Sequence, residues 1–226
     1  ARLQFRHGEE FAPLKSAYTE DGVAVELIAG MRSLPPEDDG PEQPGRSDDI
    51  SGWYVICNGR AVLSADRTAA TGWGSGQIPK WHSQYGGFLG IVFFAAADPS
   101  LLPMTTTKRS VDASSGLYRR ALARMSEPTR AWVDYTNERK ADLETAKERE
   151  AKTTSSDPSA LPEREKVELP KPVSKTTKRV ANIMYQVELE RLRSLADALG
   201  DIGSSYRDVG KQSFEFAFEQ LVEEDE

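Results

Sequence analysis

The sequence is poor in the residues that carry metal and redox chemistry: 226 residues hold one cysteine and two histidines. Cys57 has no partner for an internal disulfide, which fits a reducing cytoplasm. His7, His82 and Cys57 show none of the spacings of a metal site, so no metal ligand is expected in this chain. No run of about 18 apolar residues is present, so the sequence offers no candidate for a membrane-spanning helix and no membrane partner is expected. Excess positive charge is also missing. Lys and Arg number 29 against 36 Asp and Glu, a net charge of -7, so global electrostatics do not draw the chain to nucleic acid and only a local basic patch could. Hydrophobic residues are scarce at 38% while 29% are charged, the balance of a folded core with polar insertions. The opening stretch, ARLQFRHGEE, has no apolar segment behind its charges, so it is not a signal peptide and reads as the interior of a longer chain.

What is present is organised around Gly87 to Leu122, GFLGIVFFAAADPSLLPMTTTKRSVDASSGLYRRAL. It opens as a run of β-formers, apolar almost throughout, as expected of a strand covered on both faces. The run breaks at Asp98-Pro99, crosses a Thr-rich loop holding Lys108, and restarts as a helix from Ser115 to Met125 with Leu117, Ala121, Leu122 and Met125 on one face. Upstream, Gly22 to Gly30 reads as a strand and Met31 to Ser51, rich in Pro, Gly and Asp, as a flexible surface loop. Trp53 to Cys57 and Arg60 to Ser64 read as a hairpin about Asn58-Gly59, because both central positions of a type I′ turn need positive φ. Asp66 to Tyr85 is a long polar loop.

Downstream, Pro128 is expected to end the first helix, and a second runs from Thr129 to Ala151. The charged later half of that second helix is expected in solvent, held by pairs such as Glu144 with Lys147 and Arg149. This gives an α/β domain over residues 1–152 and a Pro/Ser/Thr linker over 153–176. A C-terminal strand–helix–helix module follows over 177–226. Its strand is Ala181 to Val187. Its first helix spans Glu188 to Leu199, with Leu189, Leu192, Leu195, Ala196 and Leu199 inward and Gly200 as cap. Its last helix opens on a Ser205/Asp208 capping box.

Lys108 is the leading candidate for a functional residue. An ammonium on a loop directly after a buried strand can reach a phosphate, with hydroxyls and loop amides as further donors. Other constellations carry less. Thr71 to Gly76, TGWGSG, matches neither phosphate-loop spacing and reads as a mobile loop. Asp66, His82 and Ser83 lack a nucleophile elbow. Trp53, Trp73 and Trp81 read as packing anchors. The C-terminal order matches that of ribbon-helix-helix DNA binders, but acids outnumber bases from Glu188 onward.

At GWYVICNGRAVLSADRT, TGWG and LLPMTTTKRSVD the chain resembles the second, transducer domain of bacterial GHKL-type ATPases, the relatives of gyrase B, MutL and the MORC proteins. The resemblance covers roughly Gly22 to Arg139. It implies an α+β fold: a four-stranded mixed sheet with helices on one face and a left-handed βαβ crossover. It also implies that Lys108 enters a neighbouring nucleotide pocket, touches the γ-phosphate and takes part in catalysis there, with Thr106 and Thr107 as supporting cofactor contacts. The family's nucleotide-binding elements, a helix with a catalytic Glu and a Mg²⁺-coordinating Asn followed by a D-x-G-x-G turn, are missing from the sequence; Asp197 to Gly203 is spaced wrongly for that turn. The resemblance therefore implies that ATP and Mg²⁺ are held mainly by an N-terminal ATPase domain outside this chain. The partners implied are that domain, a second subunit in an ATP-driven homodimer, and a protein client or DNA, with phage defence or DNA-linked work as the setting. The alternative is a non-enzymatic interaction scaffold, DNA-associated through its ribbon-helix-helix-like module.

Overall fold

The computed structural model describes residues 3–36, 50–107, 109–171, 186–199 and 205–223. The chain divides into two compact units, Ala1–Ser174 and Lys175–Glu226. The first is a mixed α+β unit. Its strands are β1 (Phe5–His7), β2 (Leu14–Glu20), β3 (Val23–Met31), β4 (Gly52–Cys57), β5 (Arg60–Asp66), β6 (Phe88–Ala95) and β7 (Thr154–Ser156). Five of them form a sheet in the order β2-β3-β6-β4-β5, in which β4 and β6 run parallel and every other pair antiparallel.

The sheet has five strands where four were expected, because Leu14–Glu20 adds an edge strand. It pairs with β3 along its whole length through the Asp21-Gly22 turn, whose φ angles of 49° and 77° are the two positive values that a type I′ hairpin needs. The second hairpin, β4–β5, turns at Asn58 and Gly59 with φ of 44° and 76°. The left-handed βαβ crossover is not found among the described residues. The parallel neighbours β4 and β6 are joined through β5 and a loop without an α-helix, and the first helix follows β6, the last strand of the sheet.

The central strand β6 alternates cleanly between two cores. Phe88, Val92 and Phe94 face a large core with Val25, Leu27, Trp53 and Val55. Leu89 and Ile91 face a smaller one with Ile28, Phe5 and Leu161. Helix α1 (Gly116–Glu138) covers the large core with Leu117, Tyr118, Ala121, Met125 and Trp132. Gly90 is required at its register position beside Trp53, since an added Cβ would lie 2.2 Å from the indole Cε3.

Pro128 does not end the helix. It lies buried inside α1, flanked by buried Met125, Thr129 and Trp132. Proline removes one backbone donor and crowds the preceding turn. The packing on both sides holds the helix together: Thr129 Oγ1 donates to the Met125 carbonyl at 2.8 Å and accepts from Trp53 Nε1 at 3.0 Å. Beyond α1, a 3₁₀ turn over Arg139–Asp142 leads to α2 (Leu143–Ala151). The charged half expected in solvent is only partly there. Glu144 and Lys147 do pair at the surface, 3.5 Å apart, but Arg139 and Glu150 are buried against each other.

Residues 153–171, expected as linker, are bound along the first unit. β7 pairs antiparallel with β1, and the backbones of Arg164 and Glu168 bond those of Lys15 and Ala12. The Lys15 ammonium donates to the carbonyls of Pro158 and Leu161 at 3.0 and 3.2 Å. The prolines do not oppose this: Pro158, for example, opens a 3₁₀ turn, where its missing N–H costs nothing. Residues 37–49 of the expected loop, 172–176 of the expected linker and 181–185 of the expected C-terminal strand lie outside the described residues, as does Gly200.

In the second unit, α3 (Leu189–Ala198) and α4 (Tyr206–Phe218) are followed by a π-helical turn over Glu219–Glu223. Ser205 caps α4, accepting from the Asp208 N–H at 3.3 Å and bonding its carboxylate at 2.6 Å. Leu189 and Leu195 of α3, expected inward, are exposed. Among the described residues no helix is long and apolar enough to cross a membrane.

Candidate functional site

The loop between β6 and α1 is fixed at both ends by an aspartate turn. Asp98 accepts from the Ser100 N–H at 2.8 Å, an arrangement that lowers the Asp98 pKa and starts a 3₁₀ turn over Pro99–Leu101. Asp112 accepts from the Ser114 hydroxyl at 2.6 Å and its N–H at 2.9 Å, which lowers the Asp112 pKa in the same way. Ser115 then caps α1, accepting from the Tyr118 N–H at 3.3 Å.

Between these turns the chain makes a small hairpin. Met104 and Val111 pair antiparallel, Thr105 N donates to Ser110 O at 3.0 Å, and Asp112 N donates to Pro103 O at 3.1 Å. Leu102 and Val111 anchor its base in the large core. Its tip is polar: Thr106, Thr107 and Arg109 are exposed, and the Thr105 and Thr107 hydroxyl oxygens lie 3.1 Å apart. Lys108, the leading candidate, falls between Thr107 and Arg109 in sequence and lies outside the described residues. The run from Pro99 to Val111 contains no carboxylate of its own and is bounded by Asp98 and Asp112, so its side chains offer an anion donors and positive charge. Arg109 was not singled out in the sequence, although a guanidinium beside Lys108 is readable there.

The remaining candidates resolve into structural roles. Asp66 accepts from the Thr71 hydroxyl at 2.7 Å and from the Thr68 N–H at 3.0 Å, while His82 Nδ1 accepts from the Gln84 N–H at 3.3 Å; no hydrogen bond links Asp66, His82 and Ser83 into a triad. Among the described residues no group of three His, Cys, Asp or Glu side chains could hold a metal ion. The TGWGSG stretch, expected as mobile, is buried over its first half, Thr71 to Trp73, and exposed over Gly74 to Gly76. Gly72, Gly74 and Gly76 take positive φ, and Trp73 is buried against Tyr85, Phe88 and Trp81. The Arg67 guanidinium lies 4.6 Å from the centre of the Trp81 ring. Cys57 is buried, its thiol pushed up to about 11 by loss of solvent.

No family model and no curated protein matches this chain. Among solved structures it is similar to the B-subunit of the DNA gyrase from Myxococcus xanthus, at 15% identity and a TM-score of 0.31. The match covers 58% of this chain and 35% of that one, so the chain spans about a third of that subunit's length. Sequence reasoning missed a buried polar cluster: Glu150 accepts from Arg139 Nε at 2.8 Å, from Arg139 Nη2 at 2.9 Å and from the Tyr135 hydroxyl at 2.6 Å. No local signal identifies it, because Tyr135 comes from α1, Arg139 from the turn after it and Glu150 from α2.

Proposed function

We propose that this chain is the transducer-like part of a GHKL-type ATPase, and that the 104–111 loop reads the terminal phosphate of a nucleotide held by an adjacent domain. The observation that carries the reading is the loop's construction. A hairpin anchored in the core by Leu102 and Val111 presents the exposed Thr106, Thr107 and Arg109, and the run from Pro99 to Val111 carries no acidic residue. A rigid base with a cationic, hydroxyl-rich tip can report an anion to α1, which starts at Gly116, soon after Val111, and packs across the sheet.

ATP and its Mg²⁺ would be held by the adjacent N-terminal domain, which supplies the hydrolytic chemistry. Lys108 would add a charge-assisted contact of about 1.5–3 kcal/mol to the γ-phosphate, with Thr106 and Thr107 supporting it. Loss of that phosphate removes the contact and frees the loop to move α1, repositioning a second subunit or a client. The test is Lys108→Ala in the protein joined to its nucleotide-binding domain. Turnover should fall at least about tenfold, the kinetic equivalent of 1.4 kcal/mol. Unchanged turnover refutes the assignment.

One observation favours a second reading, a non-enzymatic interaction scaffold: large apolar side chains stand exposed on the C-terminal helices. Its DNA-associated form predicts a salt-dependent shift of labelled duplex, and no shift at low salt removes it.

A further inference from the structure

Ten large hydrophobic side chains stand exposed among the described residues, and only Leu34 and Leu101 of them belong to the first unit. The rest crowd a short helical unit, with Tyr206, Phe214, Phe216, Phe218 and Leu221 all contributed by α4 and the turn after it. So much apolar surface on so few residues marks an interaction face. The Phe214 and Phe218 rings already stack on each other at 6.4 Å, forming a continuous apolar ledge.

The charges along the same helix say what covers the ledge. Arg207, Lys211, Phe214 and Phe218 recur at spacings of four, three and four, which places them in one stripe. Glu215 and Glu219 follow Lys211 at four-residue steps and line the flank of the apolar half. All four charged residues are exposed. The stripe is therefore cationic in its first half, and apolar with an acidic border in its second.

We infer that α4 pairs antiparallel with α4 of a second copy of this chain, forming a dimer that needs no nucleotide. A two-fold axis near Phe214 and Glu215 sets Lys211 over the Phe218 of the second copy and brings Arg207 and Lys211 beside its Glu219 and Glu215. Aliphatic stems then cover the rings, their charged ends meet carboxylates at the rim, and cation–π contact adds to both. Self-pairing by two-fold symmetry requires this kind of self-complementary surface. A parallel pair would stack like charge on like. A purely basic partner would meet repulsion from Arg207 and Lys211, and a purely acidic one from Glu215 and Glu219.

The inference rests on α4 and the turn after it and is independent of the proposed loop function, so the test omits nucleotide. The mass of the full chain is measured by light scattering behind size exclusion over roughly a hundredfold dilution series. The chain should show the mass of two copies. Glu215→Lys/Glu219→Lys and Arg207→Glu/Lys211→Glu should each, alone, run as one copy, with dissociation constants raised at least about tenfold. An equimolar mixture of these two variants should regain the mass of two copies, because each helix half again meets its opposite charge. The variant carrying all four changes should dimerise by itself. Circular dichroism showing unchanged helix content separates loss of pairing from loss of fold, and these exposed positions keep that control available. A single-copy mass for the unaltered chain, a mass above two copies, undiminished dimerisation of either double variant, or no recovery on mixing would each overturn the inference.

Discussion

The Arg139 guanidinium grips the Glu150 carboxylate side-on, in two bonds of 2.8 and 2.9 Å, across a break that separates α1 from α2. The two side chains are only 4% and 1% exposed. Arg139 also donates to the Pro36 carbonyl at 3.1 Å, so one pair ties together both helices and the chain leaving β3. Burying two charges is costly, and their mutual attraction offsets that cost only while both are present. Glu150→Ala should therefore destabilise the first unit by about 3–5 kcal/mol, because it leaves Arg139 buried and unpaired. Arg139→Met/Glu150→Leu, of similar volume, should recover part of that loss, since no charge is then buried unpaired although the Tyr135 hydroxyl and the Pro36 carbonyl lose these partners. Urea unfolding of the three proteins checks both points; a double variant no better than Glu150→Ala would show that the pair itself holds the junction.

Gly90 and Trp53 are coupled through space rather than through a bond. A Cβ at position 90 would sit 2.2 Å from the indole Cε3, and the indole has little freedom to retreat, since its Nε1 bonds Thr129 and its ring abuts Phe88 at 5.5 Å between centres. Gly90→Ala should cost at least about 1–3 kcal/mol from overpacking. In the Trp53→Leu background the same change should cost clearly less, a non-additivity that a double-mutant cycle in urea reads directly. Additive effects would mean that the strain falls elsewhere.

The β4–β5 turn is held twice over. Asn58 takes φ of 44°, and its side chain both donates to the Ala96 carbonyl at 2.9 Å and accepts from the Ala96 N–H at 3.0 Å. Asn58→Gly keeps the backbone conformation and removes only these bonds, so it should cost about 1 kcal/mol, an exposed site holding the loss down. Asn58→Ala adds the left-handed backbone penalty and should cost about 1–2 kcal/mol more. Thermal unfolding that ranks the two variants equal would contradict this division.

That turn was legible in the sequence because its chemistry is local: Asn58-Gly59 demands two positive φ angles wherever it occurs. The strand after it, and the apolar run that became β6, were legible for the same reason. The Asp21-Gly22 pair carried an equal signal, but the strand before it, LKSAYTE, has too few β-branched residues to announce itself, and β2 was missed. Pro128 misled because helix propensity is a local quantity, and the packing of Met125, Thr129 and Trp132 that overrides it is not. The run from Thr153 to Lys171 looked like a linker by composition; its pairing with β1 and β2 comes from chain segments about 150 residues away. Of the candidate site, the polar tip around Lys108 was readable, whereas the Met104–Val111 pairing that stiffens its base was not, since neither residue type specifies that contact.

Three buried acids with pKa values raised by burial imply that the fold weakens in alkali. Loss of solvent pushes the Cys57 thiol up to about 11 from 9.0. Burial foremost, then the charge of Asp66, raises the Tyr118 phenol above its ordinary 10.0; burial foremost, then the hydrogen bond to Glu150, does so for Tyr135. Each group is neutral in the folded chain over a range where the unfolded chain has released its proton. Above pH 9.0 the unfolded state therefore binds fewer protons, and stability falls as pH rises. The contribution of the thiol is complete below 9.0 and is lost on the way to about 11, a change of about 2–3 kcal/mol at 1.36 kcal/mol per pH unit. Denaturation midpoints measured across that window should decline, and the decline should be shallower in Cys57→Ala. The comparison is of slopes, because removing the sulfur also opens a small cavity whose cost does not depend on pH. A thiol reagent should label the native chain only as fast as it unfolds, and equal slopes with and without Cys57, or rapid labelling of the folded chain, would show that the sulfur is not shielded.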